Sequence, residues 1–174
     1  MFDVQSIRAQ FPALHQQIEG TSPVFLDGPG GTQVPMSVTN AMSDYLSHYN
    51  SNLLNSPFFA VQRTHEIVAQ ARKKAANFVN APSANEIIFG ASMSAATAHL
   101  SRSIAREWQA GDEIIVTALD HYSNVSFWQM AAEDKGVICH QVNINPEDCT
   151  LDYDHLERLI SPKTKLVAFT LASN

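Results

Sequence analysis

Cysteine is scarce: Cys139 and Cys149 are the only two in 174 residues. They are too few and too far apart to staple a disulfide scaffold or fill a four-ligand zinc site, so no metal centre is expected. Long apolar runs are also missing, and no stretch reaches the length that spans a bilayer. Basic clusters stop at Arg72-Lys73-Lys74 and the formal net charge is −6. That balance sets aside nucleic acid and anionic membrane surfaces as partners. The opening Met1-Phe2-Asp3-Val4-Gln5 lacks the basic and then apolar regions of a signal peptide. Repeats and low-complexity segments are absent. The reading is a soluble, reduced, cytoplasmic protein. Its 45% apolar composition is enough for one sizeable core and at most one complete domain.

What is present begins with Asp3, which can cap a short helix running to about Gln10 and stopped by Pro12. A linker from Ala13 to Ser22 leads into Val24-Phe25-Leu26, read as a short buried strand. Asp27-Gly28-Pro29-Gly30-Gly31-Thr32 then holds three of the seven glycines. Such a loop permits positive φ and close approach of a ligand, but without a basic residue it is no Walker-type phosphate loop. Pro35 suits the first turn of a helix striped by Val38, Ala41, Met42, Tyr45, Leu46 and Tyr49. Ser56-Pro57 reads as the cap and first turn of a longer helix with Val61, His65, Val68, Ala71, Ala75, Phe78 and Val79 on one face.

Glu86-Ile87-Ile88-Phe89 reads as a buried strand that turns through Gly90, Ser92 and Ser94 into another helix. Ala96, Leu100, Ile104 and Trp108 are its expected inward face. Free backbone N–H groups and the positive end of the helix dipole make this helix start suited to a phosphate. Ser92 serves equally well as a plain N-cap. Further on, short apolar strands (Ile114–Val116, Val137–Val142, Lys165–Leu171) alternate with helices (Asn124–Lys135, ended by Gly136, and Asp152–Ile160). That alternation predicts an α/β fold: three layers, αβα, around a mostly parallel sheet with right-handed crossovers. Ligands in such sheets bind beyond the carboxyl ends of the strands. Three polar clusters fall there, at Gly90–Ser94, Asp120–Asn124 and Ser173–Asn174. In the second, either His121 faces a ligand, or Asp120 or Ser123 caps the next helix and His121 is an exposed loop residue.

The order Phe25-Leu26-Asp27 with its glycines, Arg72-Lys73-Lys74-Ala75, Ile87-Ile88-Phe89, Gly111-Asp112-Glu113-Ile114-Ile115, Asp120-His121-Tyr122-Ser123-Asn124 and Ser173-Asn174 resembles class V aminotransferases. These are pyridoxal-phosphate (PLP) enzymes of fold type I, including cysteine desulfurases, selenocysteine lyases and isopenicillin N epimerase-like proteins. The likeness runs through nearly the whole chain from Val24. It implies an N-terminal helical arm over residues 1–22 and part of a PLP-binding large domain over 23–174. The family's Gly-Thr-Thr phosphate turn falls on Ser92-Met93-Ser94, where Ser94 keeps a hydroxyl and Met93 offers its backbone N–H. His121 falls where the family stacks an imidazole on the cofactor ring, and is the implied catalytic residue. Asn174 matches the asparagine that hydrogen-bonds the cofactor's phenolic oxygen. A flat ring pressed on one face suits a cofactor whose plane must be fixed.

Departures are visible. Desulfurases carry a His-Arg-containing segment ahead of the long helix, where this chain has Asn50-Ser51-Asn52-Leu53-Leu54-Asn55, and the Gly-Thr-Thr turn is altered. A desulfurase-like and an epimerase-like member fit equally well. No lysine here (Lys73, Lys74, Lys135, Lys163, Lys165) matches a covalent cofactor position, and neither cysteine matches the desulfurase nucleophile. The resemblance therefore implies an N-terminal piece of a longer enzyme, inactive alone. The parent would act at the α-carbon of a small amino-acid substrate, as a homodimer. Two other readings stay open: a non-catalytic α/β module binding a phosphate or nucleotide, and a dimerisation scaffold that has lost its chemistry.

Overall fold

The computed structural model describes residues 2–173, in two compact units, Met1–Ile88 and Phe89–Asn174. In the first, helix α1 (Val4–Arg8) is capped as expected, Asp3 Oδ1 accepting from the Ser6 N–H at 3.1 Å. Pro12 opens a 3-10 turn, Pro12–His15. Helix α2 (Met36–His48) starts just after Pro35. Helix α3 (Phe59–Phe78) begins two residues later than Ser56-Pro57 suggested, and Ser56 Oγ accepts from Phe58 N–H instead. Buried Thr64 joins the two longer helices: its hydroxyl donates to the Tyr49 carbonyl at 3.1 Å and lies 3.3 Å from the Tyr45 phenol.

Three expectations for these segments fail. Val24-Phe25-Leu26 forms no strand, and Val24 and Leu26 are 80% and 89% exposed. Glu86 closes a 3-10 turn (Ala84–Glu86) and Ile87–Phe89 runs on without a ladder, Ile88 being 85% exposed. Extended backbone becomes a strand only when a neighbour takes its N–H and C=O groups, and none is paired with these segments among the described residues. The apolar stripe of α2 is likewise uncovered at Val38, Met42 and Leu46, with only Tyr45 and Tyr49 half-buried. Periodicity marks the face a helix is able to bury, not what lies on it. On α3 Val61 is buried as expected, but His65, Phe78 and Val79, expected on the same face, are exposed, and Thr64 and Ala76 are buried.

The second unit carries the sheet. Helix α4 (Met93–Ile104) passes through a 3-10 turn (Ala105–Glu107) to Trp108, after which come β1 (Glu113–Thr117), α5 (Ser123–Glu133), β2 (Ile138–Val142), α6 (Tyr153–Leu159) and β3 (Thr164–Val167). All three strands are parallel, in the order β2-β1-β3. Central β1 is the most buried, with Ile114, Ile115 and Val116 at 0% exposure, each worth about 1.5–3 kcal/mol of burial. Gly136, at φ +67°, ends the α5 segment as anticipated, and Asp152 Oδ1 caps α6 through the His155 N–H. The chain leaves β1 towards β2 through α5 and returns past it to β3 through α6. Two right-handed crossovers in opposite directions put α5 and α6 on opposite faces, which gives the three layers.

The core gathers Ala105, Trp108, Ile114, Val116, Val125, Trp128, Ala131, Ala132, Val137 and Ala168. The Trp108 and Trp128 rings meet 6.4 Å apart at a 38° tilt. Helix α4 packs on α5, and the predicted face holds at its end, where Ile104 and Trp108 pack in the core, but not at its start. Ala96 and Leu100 are exposed, while Thr97, Ser101 and Ala105 are buried. The inward stripe is turned by one residue because its small hydroxyl side chains allow close approach. Ser101 repays its burial by donating to the Ala98 carbonyl at 3.2 Å. No described helix is long and apolar enough to cross a membrane.

Candidate functional site

At the start of α4 the Ser92 hydroxyl accepts from the Ala95 N–H at 3.1 Å and its carbonyl takes the Ala96 N–H at 3.0 Å. Ser92 is thus the N-cap of α4. The N–H groups of Met93 and Ser94, inside the first turn, have no intrahelical acceptor. Of the two hydroxyls in Ser92-Met93-Ser94, the cap uses Ser92. Ser94, half-buried, is left for another partner.

The loop after β1 meets this turn. Ser123 Oγ lies 2.7 Å from His121 Nδ1 and 3.0 Å from Met93 Sδ, and the Ser123 N–H donates to His121 Nδ1 at 3.2 Å. Neither Asp120 nor Ser123 caps α5: the His121 ring itself takes the first free N–H of that helix. His121 is exposed as a residue, while Ser123 beneath it is 6% exposed. Two of the three polar clusters expected at the strand ends are thus joined through one buried hydroxyl. Asn174, the expected third contributor, lies outside the described residues.

Asp120 links the same loop to the segment after β3. Its Oδ2 accepts from the Thr170 N–H at 3.2 Å and from the Thr117 hydroxyl, and its Oδ1 accepts from Asn124 Nδ2 at 2.8 Å. Asn124 Oδ1 in turn accepts from Trp128 Nε1 at 3.1 Å. The carboxylate spans the carboxyl end of β1, the start of α5 and the chain beyond β3. Sequence reading missed Thr117, whose signal was a hydroxyl residue at the end of β1, and Thr170, which contributes a backbone N–H that no side-chain pattern marks. It also gave Met93 only a backbone role, whereas its sulfur receives the Ser123 contact.

The cysteines stand apart from this rim. Burial, with Glu133 nearby, pushes the Cys139 thiol above its ordinary range, the opposite of what a nucleophile needs. Cys149 is exposed in a turn at φ +58°. Alkylation with iodoacetamide at neutral pH should mark Cys149 well before Cys139. Peptide mass spectrometry over a time course checks the order, and faster labelling of Cys139 would contradict the burial argument.

The parallel αβα sheet, with a helix start and a histidine loop meeting at its rim, is part of an α/β domain of the fold type I kind. The family model for aminotransferase class-V matches residues 24–174, and the chain belongs to that family. It is 34% identical over 177 residues to a probable cysteine desulfurase of Vibrio cholerae, covering all of this chain and 43% of that protein. Among solved structures it resembles the cysteine desulfurase CsdA of Escherichia coli, with TM-score 0.79 and 28% identity over 96% of this chain and 41% of that one. A C-DES mutant with glycine covalently linked to its PLP cofactor shares the fold, with TM-score 0.72 and 22% identity over 92% of this chain and 39% of that one. The chain thus spans less than half the length of these relatives.

Proposed function

We propose that this chain forms the cofactor-facing part of a PLP-dependent enzyme of the cysteine desulfurase type, acting at the α-carbon of a small amino acid. Residues 1–22 serve as a helical arm, and 23–174 belong to the PLP-binding large domain of a cytoplasmic homodimer. The observation that carries the proposal is the junction of Met93, Ser123 and His121, which brings a helix start and an imidazole to one rim. The residues present fit the cofactor. The free N–H groups of Met93 and Ser94 and the Ser94 hydroxyl suit a phosphate dianion. The planar His121 ring suits the face of a pyridine, and Asn174 is the candidate partner for its phenolic oxygen. PLP supplies an electron sink for bonds broken at the substrate α-carbon. The chain's own residues bind the phosphate, fix the ring plane and present an imidazole nitrogen that is able to hold or move a proton.

Two measurements on the full-length protein test this. Incubation with PLP should give a stable visible absorbance that survives desalting, and L-cysteine with dithiothreitol, the reductant that frees sulfane sulfur, should release sulfide. A protein that stays colourless with added PLP sinks the proposal. Ser94→Ala should then weaken PLP by about 1.5–3 kcal/mol, the loss of one charge-assisted hydrogen bond. Titration of apoprotein with PLP reads that loss, and an unchanged affinity removes Ser94 from the phosphate site.

A further inference from the structure

We propose that Ser123 is a positioning residue that fixes the tautomer and the ring plane of His121, so that His121 meets its ligand with the proton on Nε2. The inference deepens the cofactor reading above and rests on it for the identity of that ligand.

Nδ1 of His121 faces two groups of residue 123, its backbone N–H at 3.2 Å and its hydroxyl at 2.7 Å. A backbone N–H only donates, so Nδ1 must accept, and a neutral imidazole then carries its proton on Nε2. The Ser123 hydroxyl has one proton and two acceptors in reach, Nδ1 at 2.7 Å and Met93 Sδ at 3.0 Å. In the alternative arrangement, Nδ1–H donates to Oγ and the hydroxyl turns to the sulfur. That would aim the Ser123 N–H at a protonated nitrogen and give the hydroxyl to a thioether, a weak acceptor. The sulfur also has a second donor, Thr97 Oγ1 at 3.7 Å, so it loses little when the hydroxyl turns away. Both considerations select the same state: Oγ–H and N–H of Ser123 converge on Nδ1, and Nε2–H is left for the ligand.

Burial makes this clamp firm. Ser123 is 6% exposed at the first position of α5, whose next turns, through Val125 and Trp128, sit in the core. The ring is thereby referenced to the α5 backbone, while Met93 Sδ keeps only a close contact with Ser123 Oγ. The plane of the ring is thus set by a backbone N–H and a hydroxyl of one buried residue.

The test uses full-length protein labelled with 15N-histidine, stripped of PLP and held at alkaline pH, where solid-state NMR separates protonated from bare ring nitrogens. His121→Gln assigns the signals. Wild type should show a bare, hydrogen-bonded Nδ1 and a protonated Nε2. In Ser123→Ala the Nδ1 signal should shift towards that of a solvated imidazole, and Ser123→Thr, which keeps the hydroxyl, should restore it. A protonated Nδ1 in wild type, or an Nδ1 signal indifferent to Ser123→Ala, overturns the proposal. These readouts need no cofactor, so they stand or fall separately from the PLP assignment. In the PLP-loaded protein, Ser123→Ala should move the visible absorbance maximum and weaken PLP by about three- to tenfold, the worth of one neutral hydrogen bond. An unchanged maximum, with the NMR result intact, would show that the clamp exists but does not serve the cofactor.

Discussion

Replacing His121 with alanine in the full-length protein should slow turnover of L-cysteine by about 10²-fold or more, the range lost when a positioned acid–base group is removed. His121 Nδ1 is committed to Ser123, so any proton moved by this side chain passes through Nε2. The ring does two separable things, filling one face of the ligand and offering that nitrogen. His121→Phe separates them, since it keeps a flat apolar face and removes the nitrogen. The alanine variant should change both the visible spectrum of bound PLP and the rate. The phenylalanine variant should restore most of the spectrum while turnover stays low. Sulfide release under saturating cysteine, beside an absorbance spectrum, reads the two effects. If His121→Ala leaves both untouched, the histidine has no part in the site; if His121→Phe recovers the rate, its work is packing alone.

The second large effect is on stability. Trp128→Ala should cost about 3–5 kcal/mol, the usual result of truncating a buried aromatic residue. Trp128 is 4% exposed, contacts Trp108 and belongs to the core cluster beside Ile114 and Val116. Its indole N–H also donates to Asn124 Oδ1, the outer link of the chain that runs through Asp120 to Thr170. Trp128→Phe keeps most of the packing and gives up that donor, so it should cost about 1 kcal/mol. Thermal unfolding of the full-length protein at fixed concentration and fixed PLP compares them, since both shift an apparent Tm. A Trp128→Ala loss no larger than that of Trp128→Phe would mean the ring packs loosely and the core is placed wrongly.

Much of this architecture was legible because it is local. Asp3 and Asp152 each cap a helix through an N–H three residues on, and Gly136 takes the positive φ that stops α5. The runs at Ile114, Ile138 and Leu166 are apolar between turn residues, and each became a strand. What stayed hidden depends on partners distant in sequence. Val24–Leu26 and Ile87–Phe89 have strand composition, but composition does not supply a neighbour. The buried face of the first turns of α4 was misjudged because hydroxyl residues, Thr97 and Ser101, occupy it, and a hydrophobic count passes over them. The candidate site divides in the same way. The Ser92 cap spans three residues, whereas the Met93–Ser123 contact spans 30 and the Thr170–Asp120 bond spans 50. A family resemblance pointed at His121; only the fold revealed what steers it.

Among the described residues, the strand order β2-β1-β3 leaves both outer strands with an unpaired side. Each presents a row of N–H and C=O groups to any extended segment that arrives, and β3, expected to reach Leu171, ends at Val167, with Phe169 and Leu171 beyond it 62% and 100% exposed. Residues 1–174 expressed alone should therefore self-associate edge to edge at rising concentration. Solubility of this polypeptide thus becomes a measure of how thoroughly its margins are shielded.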